Sequence, residues 1–214
     1  MIKLDLPVYE ITLPVSQKTI SFSPLIVKEE KNIGAAKQTG GNKASFKTFL
    51  EILKTKLNCE VFDLCETDLI SCIIEIRKYS IGEKFKTSFI CPFSKEKITK
   101  EIDCNEMSIK GTKSSSTIKE MGHTVKLQMP QRQDELWTSI KFIETVKEKI
   151  DFDELNTTQK KCIFDSLPIK IKDKIENEIE DLLHYEYELK YSPNGEHDIK
   201  IKSAEDFFTL LFVM

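Results

Sequence analysis

The 214-residue chain reads as an α+β protein with three β-hairpins and about seven helices packed into two lobes. Two observations carry that reading. Tyr185, Tyr187, Leu189 and Tyr191 alternate strictly with charged residues before Pro193-Asn194-Gly195, and Ile199 and Ile201 alternate in the return, which is the period-2 pattern of a hairpin. Phe46, Phe49, Leu50, Leu53 and Leu57 instead fall at i, i+3, i+4, i+7 and i+11, one apolar stripe of a helix flanked by Lys47, Lys54 and Lys56.

The other elements follow in order. Val8 to Leu13 and Lys18 to Phe22 carry β-branched and aromatic residues at alternate positions around Pro14 to Gln17, so a hairpin opens the chain. Ser23-Pro24 marks the start of a helix with Glu29 and Glu30 in its early turns, and Gly40-Gly41 stops it before the striped helix begins. Asp63 with Glu66 has the spacing of a capping box, and Leu69, Cys72, Ile73 and Ile76 continue at helical spacing to an end near Gly82. Lys84 to Ile90 and Lys97 to Cys104 form a second hairpin around Cys91-Pro92-Phe93-Ser94-Lys95-Glu96.

Residues 110–122 are small and polar, so the expected organisation is an N-terminal lobe 1–110, a linker 111–122 and a C-terminal lobe 123–214. The second lobe opens with a strand at Val125 to Met129. Trp137, Ile140, Ile143, Val146 and Ile150 then predict a long helix capped by Asp134. Thr157 or Thr158 starts a helix through Leu167, and Pro168 starts one that carries Ile171, Ile175 and Ile179. The third hairpin follows, and Ser203 caps a last helix with Glu205 and Asp206 in its first turn. The second and third hairpins look alike, which fits either a duplication or the alternation that any hairpin carries.

Composition narrows the class. Forty percent apolar and 31% charged residues suit a globular chain, and 32 Lys plus Arg against 35 Asp plus Glu leave no field to draw it to nucleic acid or anionic lipid. The first 14 residues have no apolar core of a signal peptide, and the most apolar stretch, Leu69 to Ile76, is far below the roughly 20 residues that span a bilayer. Six cysteines without dense spacing read as reduced thiols, with Cys65 and Cys72 as core packing.

No catalytic motif appears, so the chain is expected to be non-enzymatic, without cofactor. Cys91-Pro92-Phe93-Ser94 sits where a zinc ribbon places a Cys-Pro-x-Cys knuckle, but Ser94 replaces the second thiolate and no four-ligand set remains. His123, His184 and His197 have no paired carboxylates at defined spacing. The terminal run from Phe207 to Met214 is apolar on almost every side of a helix. Phe207, Phe208 and Leu211 can fill a core, and the rest need a neighbour. Phe208, Leu210, Phe212, Val213 and Met214 are therefore the expected partner contacts, with Arg77, Tyr79 and Gly82 shaping the base of the second hairpin.

Short phrases spread over most of the chain resemble one family. They are Leu13-Pro14-Val15, Ile20-Ser21-Phe22-Ser23-Pro24-Leu25, Val27-Lys28-Glu29-Glu30, Ile76-Arg77-Lys78-Tyr79-Ser80-Ile81-Gly82-Glu83 and Phe89-Ile90-Cys91-Pro92. Val125-Lys126-Leu127-Gln128-Met129-Pro130, Phe164-Asp165-Ser166-Leu167-Pro168 and Asp206-Phe207-Phe208 follow in the same order. Together they resemble the baseplate hub subunits and hub assembly proteins of T-even-like tailed phages. The resemblance implies a late viral protein, made in the host cytoplasm, that joins or chaperones the hub of a contractile-tail baseplate through contacts with other hub or tail assembly proteins. The rival is a small nucleic-acid-binding or regulatory adaptor using a relic zinc-ribbon hairpin. It would read phosphate through Lys84, Lys86, Lys95, Lys97 and Lys100, a run that Glu96, Glu101 and Asp103 interrupt.

Overall fold

The structure, a computed structural model, describes residues 5–90, 97–130, 135–189 and 199–213. In chain order these form β1 (Tyr9–Thr12), β2 (Thr19–Phe22), α1 (Val27–Lys56), α2 (Glu66–Ser80), β3 (Lys84–Ile90), β4 (Lys97–Asp103), β5 (Ser108–Lys110), β6 (Ser115–Glu120) and β7 (His123–Gln128). There follow β8 (Ile140–Glu144), β9 (Lys149–Asp151), α3 (Thr157–Asp165), α4 (Ile169–Glu180), β10 (His184–Leu189), β11 (Ile199–Ile201) and α5 (Ala204–Phe208), with a π-helical turn over Thr209–Val213. The mixed α and β content and the three expected hairpins, β1–β2, β3–β4 and β10–β11, are present. Among the described residues five α-helices stand where about seven were expected, the first of them bent into two arms, and the antiparallel pairs β6–β7, β7–β8 and β8–β9 are additional to the three expected hairpins. The Cys91–Ser94 knuckle, Lys95, Asp134, Tyr191, the Pro193-Asn194-Gly195 turn, His197 and Met214 lie outside the described residues.

Two compact units divide the chain: residues 1–64, 68–108 and 185–214 form one, and 65–67 with 109–184 form the other. The last hairpin and α5 therefore belong with the N-terminal elements, a division different from 1–110, 111–122 and 123–214.

In the first unit α1 is not a straight rod. Glu29 Oε2 and Lys56 Nζ are 2.9 Å apart, although 27 residues in one continuous helix would separate them by roughly 40 Å. The reversal is at Gly41, whose φ of 71° and ψ of −164° a side-chain-bearing residue rarely adopts. The two helices expected on either side of Gly40-Gly41 are thus the two arms of one helical hairpin. The first arm starts at Val27, not at Pro24, with Glu29 reaching back to the Ile26 amide. The second arm turns Phe49 and Leu53 inward, and they join Leu13, Ile20, Phe22, Ile70, Ile73, Ile76, Ile102, Phe207 and Phe208 in one core. Asp63 does not cap α2. It lies in a 3₁₀ turn, Val61–Asp63, and the helix begins three residues later.

The second unit holds the largest departure from expectation. Where a long helix was expected from Trp137 to Ile150, a 3₁₀ turn, Leu136–Ser139, leads into β8 and β9. Ile140 and Ile143 are both buried although three residues apart, because the β7–β8 register shifts between Lys126 and Leu127. Such a bulge puts i and i+3 on one face of a strand, so a helical period arises without a helix. Val146, 95% exposed, belongs to the turn that returns the chain to β9.

Residues expected in the linker form β6 instead, paired with β7 from Ser115↔Gln128 to Glu120↔His123. Met121 and Gly122, at φ 50° and 75°, close that hairpin as a two-residue loop with positive φ at both positions. Gly111 is also required, since a Cβ there would lie 2.2 Å from the Leu182 carbonyl oxygen. The sheet β6–β7–β8–β9 packs Ile118, Val125, Leu127, Ile140 and Ile143 against Phe152 and, from α4, Ile171 and Ile175. Asn156 and Gln159 cap α3 reciprocally, and Pro168 stands at the N-cap of α4.

Candidate functional site

The C-terminal residues expected at a partner surface are mostly interior. Ser203 Oγ accepts from the Asp206 amide at 3.1 Å and sets the direction of α5. Phe208 then enters the core of the first unit, with ring centroids 5.4 Å from Phe46, 4.8 Å from Phe49 and 5.6 Å from Phe212. Phe208 and Leu210 are buried, a correction to their place among partner contacts. Phe212 is half-buried, 5.1 Å from the Phe49 ring, and the Val213 side chain lies outside the described residues. An all-round apolar segment is accommodated because the second arm of α1, α2 and the β10–β11 hairpin line the core around it.

Arg77 is what holds this segment's last turn. Its Nε donates to the Leu211 carbonyl at 2.8 Å, its Nη1 donates to the Gly82 carbonyl at 3.3 Å, and its guanidinium lies 4.7 Å from the Phe85 ring centroid. The side chain is buried, and desolvation pulls its pKa down from the ordinary value. Arg77 therefore links the carbonyl of Gly82 and the Phe85 ring, at the start of the β3–β4 hairpin, to the C-terminal turn. Gly82 has φ 128°, out of reach for most side chains.

Tyr79 behaves differently. It is 46% exposed, stacks on Tyr9 with centroids 4.0 Å apart and meets the Phe22 ring edge-on at 5.6 Å. The Leu25 amide donates to Ser80 Oγ at 2.8 Å, which draws the start of α1 to the end of α2. Three segments thus meet at Tyr79, and each carries exposed apolar side chains: Leu6 and Val8 before β1, Ile26 and Val27 at the start of α1, and Ile81 after α2. Six of the exposed large hydrophobic residues, Tyr79 included, lie in these three segments of the first unit. Of these residues, Tyr79 alone is among the expected partner contacts. Val27 and Ile81 sit one step outside the helical stripes, where the periodicity argument assigns nothing.

Two of the basic residues of the rival reading face acids across their hairpin, while Lys97 and Lys100 stand opposite Ile90 and Thr87. Lys84 is 3.3 Å from Asp103, and Lys86 stands opposite Glu101. His184 is buried with Nδ1 2.9 Å from the Leu182 carbonyl oxygen, and His123 Nδ1 is 2.9 Å from that of Met121. Among the described residues no group of three or more His, Cys, Asp or Glu is placed to hold a metal ion, and no helix is long and apolar enough to cross a membrane.

The family model described as T4 bacteriophage base plate protein matches residues 6–209. No curated protein and no solved structure matches.

Proposed function

We propose that this chain, which belongs to the T4 bacteriophage base plate protein family, is a component or assembly chaperone of the baseplate hub that works through protein contacts and without catalysis. The family makes it a phage baseplate protein and implies contact with other baseplate proteins. The hub assignment rests on the phrase-by-phrase resemblance to hub subunits and hub assembly factors. On this reading the chain is a late protein that folds in the host cytoplasm and meets its partners there before or as the tail is built.

One observation supports the contact role: the exposed apolar side chains of Ile26, Val27, Tyr79 and Ile81, on the start of α1 and the end of α2 that the Leu25–Ser80 hydrogen bond draws together. Burying an apolar side chain is worth about 1.5–3 kcal/mol, so two or three of these residues supply a useful part of a protein contact. The paired Lys84–Asp103 and Lys86–Glu101 positions make the nucleic-acid adaptor the weaker alternative.

The test is a Val27→Glu, Ile81→Glu double variant co-expressed with the phage's baseplate proteins. Wild type is expected to sediment with hub intermediates rather than with wedge intermediates. The variant is expected to stay in the unassembled fraction with its thermal midpoint within a few degrees of wild type, since exposed substitutions usually shift stability by no more than about 0.5 kcal/mol. A variant that co-sediments like wild type removes these side chains from the contact, and wild type found only with wedge intermediates removes the hub assignment.

A further inference from the structure

The two edges of the β1–β2 ribbon are treated differently. On the outer side of β2, Ser21 donates its amide to Asn58 Oδ1 at 2.8 Å and accepts from the Asn58 amide at 3.2 Å, and Ser23 donates to the Lys56 carbonyl at 3.2 Å. That edge is sealed. The Leu13 amide donates to the Lys18 carbonyl at 2.9 Å, so Leu13↔Lys18 is a hydrogen-bonded position of the ladder. In an antiparallel pair such positions alternate, so Ile11 and Tyr9 bond inward to Ile20 and Phe22, and the backbone groups of Val8, Glu10 and Thr12 face away. Among the described residues nothing pairs with them.

We infer that the outer edge of β1 is a strand acceptor that takes an extended segment of a partner protein, apolar at alternate positions with a basic residue opposite Glu10. This deepens the hub reading and rests on it. Unpaired strand N–H and C=O groups are a template for another strand, and proteins commonly blunt such edges with lysine, proline or a bulge. Between Pro7 and Pro14 this edge carries no lysine, no proline and no register shift against β2, and the two prolines mark the limits of a short acceptor. The side chains of Val8, Glu10 and Thr12 are exposed, while Tyr9 and Ile11 pack against the core, with Tyr79 stacked on Tyr9. An added strand therefore places one face beside Tyr9, Ile11 and Tyr79, which calls for apolar residues, and the other face beside Glu10.

Charge selects between a partner and a second copy. Glu10 has no ion pair among the described residues. The self-pairing register that uses all three outward residues sets Glu10 opposite the same glutamate of the copy, and like charges directly opposed destabilise a ladder. A lysine or arginine at that position in a different chain reverses the sign.

The test uses the full chain and a synthetic peptide, Thr-Val-Thr-Val-Lys-Val-Thr-Val-Thr, with a second peptide carrying glutamate in place of the lysine. Amide exchange at Glu10 and Thr12 is expected to slow in the presence of the lysine peptide, with the glutamate peptide bound at least about tenfold more weakly. Glu10→Pro is expected to abolish binding and keep the fold, because the lost N–H faces outward and proline is tolerated there. Glu10→Lys is expected to invert the peptide preference, which keeps the test decisive if the proline variant fails to fold. Unchanged exchange at Glu10 and Thr12, binding indifferent to Glu10→Pro, or the same preference after Glu10→Lys overturns the inference. A wild-type dimer by sedimentation that Glu10→Pro dissolves overturns the choice of partner in favour of a second copy. If the peptide results hold but Glu10→Pro still joins hub intermediates, the edge is not the assembly contact and the hub reading survives. If wild type never joins them, the hub reading fails and the edge stands as an acceptor for another chain.

Discussion

The terminal run Phe207–Phe212 and the segments that meet at Tyr79 make opposite uses of apolar side chains. The first is the greasiest stretch near an end of the chain, yet Phe207, Phe208, Leu210 and Leu211 are all buried. The second draws on short apolar runs, Leu6-Pro7-Val8-Tyr9 and Leu25-Ile26-Val27, and on Ile81, of which Leu6, Val8, Ile26, Val27 and Ile81 stay exposed. A short helix that is apolar on every side asks for neighbours on every side. Here Phe46 and Phe49 from the second arm of α1, Tyr185 from β10 and the Arg77 guanidinium meet it. Apolarity along a sequence therefore measures the need for burial, and the contact surface is whatever the fold leaves uncovered.

The contrast can be broken by mutation, starting with the deepest residue. Phe208→Ala should cost about 3–5 kcal/mol, the range for removing a fully buried aromatic ring, read as a lower urea midpoint. A loss below about 1 kcal/mol would mean that the terminal helix is not part of the core. Phe212→Ser should cost less, about 1–3 kcal/mol, because that ring is half-buried against Phe49 and Phe208. A purely partner-facing Phe212, as the sequence analysis expects, would instead leave the isolated chain about as stable with serine there. If the thermal midpoint is indeed unchanged, Phe212 returns to the list of contact residues.

The smallest effect concerns pH. Burial pushes the Tyr185 hydroxyl above its ordinary 10.0, and the same side chain packs edge-on against Phe207. The folded chain holds that proton more tightly than the unfolded chain does. Its contribution is therefore intact below about pH 10 and is lost as pH rises toward the folded value. Tyr185→Phe should flatten the alkaline decline of the unfolding midpoint without changing it at pH 7 by more than a conservative substitution does. An identical alkaline slope in the variant would place the sensitivity elsewhere, Tyr187 and Cys104 being other groups whose burial raises their pKa.

Several features were legible because a single local rule decided them. The period-2 runs became β1–β2, β3–β4 and β10–β11, and Ser203, Pro168 and the Gly40-Gly41 pair mark helix boundaries as their chemistry requires. The Cys72 side chain is buried in the first core, as its helical position implied. The misreadings occurred where two rules gave the same pattern. Ile140, Ile143 and Val146 have the spacing of a helix face, and a bulged strand ending in a turn produces the same spacing. Ser115 to Glu120 has the composition of a linker, but a sheet-edge strand needs only one inward residue, Ile118, and can be polar elsewhere.

By itself the amino-acid sequence determined the family, the mixed α and β content and which residues needed burial, because these depend on residue type and short spacings. The tertiary structure decided the rest. It folded α1 back on itself at Gly41, placed residues 185–213 with the N-terminal unit, buried Arg77 under the last turn, and left Tyr79 half-exposed and the outer β1 edge unpaired among the described residues. Each of these depends on which distant segment arrives first at a given apolar face or unpaired backbone group. No window of neighbouring residues contains that information, since Arg77 and Leu211, or Tyr9 and Tyr79, become neighbours only when the chain closes on them.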